Sequence, residues 1–150
     1  METQLRVVNP DIGLDGRWGG QDNLIINELF KGQLKRSHHR THDAIDNDGI
    51  LYEIKKQQGL QWFDPRKYAA MGKSTRMTKI IFVIWEKKVG VVIVAICPTD
   101  SFIQEIFPND LFDLALQISK ISPRTQLKHP VNIKRMIAEK PELFNVIYRR

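Results

Sequence analysis

Between two short runs of alternating character, the chain carries Asn47-Asp48-Gly49, a place where it can reverse within three residues. Such a loop suits a type I turn followed by a glycine in the left-handed region. With that loop Asp46 pairs with Ile50, Ile45 faces Leu51, Ala44 faces Tyr52, and Asp43 lies opposite Glu53. Side chains so opposed sit roughly 4.5–5.5 Å apart at Cβ. Lys55 shares the face of Glu53, because successive strand residues alternate sides. A two-residue type I′ turn at Asp48-Gly49 is the competing register; it would pair Asn47 with Ile50 and set Asp43 opposite Ile54. A slip of one residue sends a whole set of side chains to the other face, so only the three-residue loop keeps Asp43, Glu53 and Lys55 together.

Two carboxylates facing each other at about 4 Å repel by roughly 1 kcal/mol in water and about 4 kcal/mol at an effective dielectric of 20. A hard divalent cation offsets that cost. Mg²⁺ takes oxygen ligands from one or two carboxylates, keeps several waters and accepts phosphate oxygens in its remaining positions. A lysine beside the acids is placed to hold or deprotonate an attacking water. Together these are the groups needed to hydrolyse a phosphodiester at neutral pH.

At 150 residues, 42% of them apolar, the chain is long enough for one domain (1–150) with a hydrophobic core. A single cysteine, Cys97, excludes an internal disulfide and a multi-cysteine zinc site, and it suits a reducing cytoplasmic location. The N-terminal residues lack the apolar stretch of a signal peptide, and the longest apolar run, 89–97, is far short of the roughly 20 residues that span a bilayer. The protein is therefore expected to be soluble, unexported and without a membrane partner. Its net charge of +6 favours a polyanionic partner. The distribution of charge says more than the sum. Lys35, Arg36, His38, His39, Arg40 and His42 lead into the hairpin, and Arg66, Lys67, Lys73, Arg76 and Lys79 follow it, so the acids are flanked by cations.

Along the chain, residues 1–20 carry Pro10, Gly13, Gly16, Gly19 and Gly20 and read as irregular. Residues 21–34 read as a helix with Asp22 or Asn23 as N-cap and a stripe of Leu24, Ile25, Leu29 and Phe30. Asp64-Pro65 opens a short helix through Met71. Residues 79–86 and 89–97 are apolar on both faces, as central strands with helices packed on each side would be. Residues 109–121 and 132–140 read as helices, and 144–148 as a final strand or extended tail. The fold expected is α/β, a mixed sheet of about five strands flanked by helices.

Asp43, nine intervening residues and then Glu53-Ile54-Lys55 resembles the PD-(D/E)XK nucleases. The longer segment His-Asp-Ala-Ile-Asp-Asn-Asp-Gly-Ile-Leu-Tyr-Glu-Ile-Lys is similar to the active-site hairpin of PvuII-like type II restriction endonucleases. The resemblance extends loosely to Gln21-Asp22-Asn23 and to Ile80-Ile81-Phe82-Val83-Ile84. The proline of the family name is His42 here, and the glycine pair precedes Gln-Asp-Asn instead of following it. What the resemblance implies is a restriction-endonuclease-like fold and a homodimeric type II restriction enzyme that cuts double-stranded DNA with Mg²⁺ to leave 5′-phosphate ends. Asp43, Glu53 and the Ile54 carbonyl would then hold the metal and Lys55 would position the water. Gln21, Asp22 and Asn23 would approach the DNA.

Base readout is expected from the stretch after the catalytic strand, at Lys56, Gln57, Gln58, Gln61, Arg66, Lys73, Ser74 and Arg76, because Gln suits adenine and Arg guanine in the major groove. Other features have plainer readings. Glu86-Lys87-Lys88 repeats the Glu-x-Lys pattern but reads as a solvated hairpin turn, Asp46 and Asp48 as turn formers, His38, His39 and His42 as a basic loop, and Cys97 as a buried strand residue. Trp62 and Phe63 suit either base stacking or the core. Two rival functions remain: a structure-selective nuclease such as a junction resolvase or nickase, and a DNA-binding module without catalysis.

Overall fold

The computed structural model describes residues 4–15, 21–37, 42–64, 68, 78–107, 113, 117, 120 and 129–150. Among these the chain forms a six-stranded mixed sheet, a separate two-stranded sheet and three helices. The main sheet contains β1 (Leu34–Arg36), β2 (Ala44–Asp46), β3 (Leu51–Gln57), β5 (Thr78–Glu86), β6 (Gly90–Pro98) and β8 (Asn145–Arg149), side by side in that order. Only β3 and β5 run parallel; every other pairing is antiparallel. The small sheet pairs β4 (Leu60–Phe63) with β7 (His129–Asn132).

Strands β5 and β6 sit in the interior of the sheet, and both of their faces are covered. One face presents Ile80, Phe82, Ile84, Ala95 and Cys97 to Phe63, Tyr68, Phe102, Ile103, Ile133, Ile137 and Phe144. The helices on this side are α2 (Thr99–Ile106) and α3 (Ile133–Glu139). The other face presents Ile81, Val83, Val94 and Ile96 to Ile25, Ile26, Leu29, Phe30 and Leu5. Two-sided burial is why these strands read as continuous apolar runs. Cys97 lies fully inside, its thiol pushed up to about 12 by burial and by the charge of Asp100, so it is an inert strand residue as expected.

The early helix is shorter than its pattern. Helix α1 (Asp22–Leu24) widens into a π-type turn over Ile25–Leu29, where Phe30 N–H donates to the Ile25 carbonyl at 3.0 Å. Gln21 is the N-cap and makes no side-chain cap bond, so neither Asp22 nor Asn23 caps it. Gly32 then adopts φ +81°, which ends the helical path and turns Leu34 into β1 beside β2. Leu34 therefore belongs to the sheet, and the sheet has six strands where about five were expected.

Later elements follow the sequence more closely. Asn132 caps α3, its Oδ1 accepting from Arg135 N–H at 3.1 Å, and the strand expected over 144–148 is β8, running from Asn145 to Arg149. Asp113, Gln117 and Lys120 are helical, within the helix expected over 109–121. Glu86 closes β5 and Lys87, Lys88 and Val89 turn the chain into β6, with Lys88 at φ 68° and Glu86 paired to Lys134 at 2.8 Å. Of the helix expected over 64–71, Tyr68 is helical and most of the rest lies outside the described residues.

The loop between β2 and β3 has three residues. Asp46 N–H donates to the Ile50 carbonyl at 3.0 Å, Gly49 N–H donates to Asp46 at 3.2 Å, and Gly49 has φ +85°. The pairs Ala44–Tyr52 and Ile45–Leu51 follow, which is the register the loop length dictates. Asp46 is the turn former: its Oδ1 accepts from the N–H groups of Asp48 and Ile50, both at 2.9 Å, and its Oδ2 from the Tyr52 hydroxyl at 2.8 Å. A β-carbon at Gly49 would meet nothing within 4 Å, so Gly49→Val should be opposed by backbone strain alone. The expected loss is about 1–3 kcal/mol, read from urea unfolding; an unchanged midpoint would remove the left-handed requirement.

Candidate active site

Strand β3 carries charged and polar side chains on both of its faces. By the parallel register Glu53, Lys55 and Gln57 lie beside Ile80, Phe82 and Ile84, on the aromatic side of the sheet. Tyr52, Ile54 and Lys56 point to the opposite side, toward α1. Glu53 and Lys55 are two residues apart on one face, and Lys55 Nζ reaches back to Glu53 Oε1 at 3.0 Å. Glu53 is only 3% exposed at its side chain and Lys55 21%, so the carboxylate is held inside while the ammonium group meets solvent. The same Nζ sits 5.7 Å from the centre of the Phe63 ring, a cation over an aromatic face. Tyr68, also buried, places its hydroxyl 3.4 Å from Glu53 Oε2.

Asp43 reaches this site differently from the sequence expectation. The β2–β3 ladder ends at Ala44–Tyr52, and Asp43 stands just beyond it, its N–H donating to the Tyr52 carbonyl at 2.9 Å instead of lying opposite Glu53. Its Oδ2 accepts from Ile54 N–H at 2.8 Å. The physical reason is the end of β2. Among the described residues no strand runs beside β3 past Ala44, and the Ile54 N–H takes the aspartate as a charged acceptor. Within a strand the N–H and C=O of one residue point to the same side, so the Ile54 carbonyl opens onto the same edge as the Asp43 carboxylate.

The Ile54 bond gives Asp43 a structural role. Asp43→Ala should cost about 1.5–3 kcal/mol, the worth of a hydrogen bond to a charged group, whereas Asp43→Asn keeps an acceptor and should cost less. Urea unfolding of the two variants checks this; equal losses would remove the capping role.

A third carboxyl joins from α1. Asp22 is raised above the usual aspartate range, first by burial and then by the negative charge of Asp43, with Arg36, Lys56 and Lys55 opposing. Asp22, expected to approach the DNA, thus shares its surroundings with Asp43 and Lys55. A carboxyl raised on folding contributes stability that is present below its unfolded value, about 3.9, and is lost as pH rises through the folded value. Asp22→Asn should therefore be more stable than the wild type at pH 7 and indistinguishable from it near pH 3. Denaturant midpoints at the two pH values test the sign, and a variant less stable at pH 7 would reverse it.

The remaining residues expected at the DNA divide into four groups. Gln21 is buried and Lys56 half-buried, and they hold each other: Lys56 Nζ donates to Gln21 Oε1 and to the Asp15 carbonyl, and Gln21 Nε2 donates to Asp15 Oδ1 at 2.7 Å. Gln57 is 4% exposed, and both polar atoms of its amide lack a hydrogen bond among the described residues. Asn23 and Gln58 are exposed and Gln61 half-exposed, with Asn23 Oδ1 accepting from Arg36 at 2.9 Å. Arg66, Lys73, Ser74 and Arg76 lie outside the described residues, as do His38 and His39. His42 is buried beside Asp43. Trp62 is 52% exposed and Phe63 is buried, which assigns the first to the surface and the second to the core.

Sequence reasoning missed Tyr68. Its signal was its place in the helix expected from Asp64-Pro65, but nothing local says that Tyr68 meets β3. Among the described residues no group of three or more His, Cys, Asp or Glu side chains converges as a metal cluster. The donor set here is smaller and harder: carboxylate oxygens from Asp43 and Glu53 and the edge carbonyl of Ile54. Oxygen donors of that kind fit Mg²⁺, which draws few ligands from protein and keeps water in the rest. No helix among the described residues is long and apolar enough to cross a membrane. No protein-family model matches the chain, and no curated protein sequence matches it significantly.

Proposed function

We propose that this protein is a Mg²⁺-dependent endonuclease that hydrolyses phosphodiester bonds in double-stranded DNA, a type II restriction enzyme leaving 5′-phosphate ends. The observation that carries the reading is the linked arrangement on β3, in which Asp43 is fixed to Ile54 N–H at 2.8 Å and Glu53 to Lys55 at 3.0 Å. Three successive residues of one strand thus offer an acid, a backbone carbonyl and an ammonium group, with a second acid on the adjoining edge.

Asp43, Glu53 and the Ile54 carbonyl would hold the ion. Bound there, Mg²⁺ lowers the pKa of water and stabilises charge on phosphoryl oxygens. The chain's own residues do the rest. Lys55, anchored by Glu53 and partly exposed, orients the attacking water beside the scissile phosphate. The net charge of +6, with cations flanking the hairpin, draws the polyanion to the acids. A two-fold dimer would meet a palindromic site with symmetric protein, one active site cutting each strand.

Digestion of a sequenced plasmid with and without Mg²⁺, followed by sequencing of the ends, tests the proposal. Discrete fragments bearing 5′-phosphates are expected. No cutting with any divalent ion would sink the enzyme reading, and cutting confined to branched DNA would redirect it to a structure-selective nuclease.

A further inference from the structure

Glu53 is addressed at both oxygens by different groups. Lys55 Nζ holds Oε1 at 3.0 Å from the solvent side, and the Tyr68 hydroxyl stands 3.4 Å from Oε2 on the buried side. The phenol is 3% exposed and its ring packs against Phe63, 6.4 Å between centroids and tilted by 38°. Phe63 in turn lies under Lys55 and against Phe102, with ring centroids 4.9 Å apart. One aromatic wall therefore backs both members of the Glu53–Lys55 pair. The phenolic O–H is thus placed to donate to the Glu53 oxygen on the buried side.

We propose that Tyr68 is a positioning residue: its hydroxyl fixes the orientation of the Glu53 carboxylate, so that the acid is held ready as a ligand. A glutamate has three side-chain torsions, and each free one is disordered until something holds it. Carboxylates that bind metals are themselves hydrogen-bonded by a surrounding layer of groups, and losing such a partner typically costs about 10–100-fold in metal affinity or activity. Tyr68 is placed to be that partner because it approaches the oxygen that Lys55 does not hold. This inference rests on the reading of Glu53 as a metal ligand.

The test is Tyr68→Phe, which keeps the ring in its wall and removes only the hydroxyl. Mn²⁺ or Mg²⁺ binding by calorimetry should weaken by about tenfold or more. The Mg²⁺ concentration for half-maximal DNA cleavage should rise in parallel, with most of the rate recovered at saturating ion. Duplex affinity measured without metal should stay as in the wild type. Phe102→Leu, a change in the same wall that leaves the hydroxyl in place, should keep the wild-type ion affinity even where it lowers the unfolding midpoint. Unchanged ion affinity in Tyr68→Phe, or an equal loss in Phe102→Leu, overturns the positioning role while leaving the nuclease reading intact. A wild-type protein that binds no divalent ion overturns both.

Discussion

A Lys55→Ala protein is expected to cut DNA about 10²–10⁴-fold more slowly than the wild type, the range that a positioned acid–base group contributes. Its affinity for the same duplex, measured without metal, should change little, because loss of one cation removes at most one of many phosphate contacts. The substitution also removes one partner of the Glu53 carboxylate. Removing one member of a fully buried pair costs about 3–5 kcal/mol; Lys55 is 21% exposed, so solvent screens part of the interaction and the loss should be smaller. Rates must therefore be compared at a temperature where both proteins are folded.

Glu53→Gln separates the two contributions. It keeps the shape and an acceptor for Lys55 and Tyr68 but removes the charge. It should retain the fold while losing Mg²⁺-dependent cleavage. A Lys55→Ala enzyme that cuts within a few-fold of wild type would end the assignment of Lys55 to the water.

The largest expected loss of stability comes from Phe82→Ala, about 3–5 kcal/mol. Phe82 is fully buried in the middle of β5, with ring centroids 5.0 Å from Phe102, 5.8 Å from Phe144 and 6.4 Å from Phe63. It joins the central sheet to α2, to the segment that enters β8, and to β4. Against a total of about 5–15 kcal/mol for a native domain, the change removes a large share. Urea unfolding measures it. The contrasting substitution is Val89→Ala in the exposed turn, expected to stay within about 0.5 kcal/mol. A Phe82→Ala loss below about 1 kcal/mol would mean that the aromatic cluster is not a tight core. Because Phe63 also underlies Lys55, the cavity should loosen the active face too, and cleavage should fall along with stability.

Some elements were hidden from the sequence for physical reasons. Strand β1 has three residues, two of them charged and exposed, so it carries no alternating signal; it exists because β2 needs a neighbour. Strand β4 has Leu60 and Trp62 exposed, and its partner β7 lies far along the chain, so neither shows a pattern alone. Helix α2 does have buried residues at helical spacing, Thr99, Phe102, Ile103 and Ile106, but it starts directly after Pro98 at the end of β6. No linker marks the change of period there. The early helix failed in the opposite sense: residues 21–34 have helical spacing for longer than the backbone follows it, because Gly32 and the place of Leu34 in the sheet decide where it stops.

Local chemistry, through the turn residues and side chains that alternate with period two, narrowed the hairpin to two registers, and the one formed is the three-residue loop with a left-handed Gly49 and Ala44 paired to Tyr52. Those forces act between neighbours in the chain, so a reader of the sequence can apply them. What surrounds Glu53 and Asp43 was decided only by the folded whole. Tyr68 and Phe63 meet Glu53 and Lys55 because that side of the sheet is covered by the cluster that Phe82 of β5 and Phe102 of α2 share, and Asp43 turns to Ile54 because β2 stops one residue short of it. Burial and an unpaired backbone N–H are properties of the assembled sheet, and no spacing within the segment encodes them.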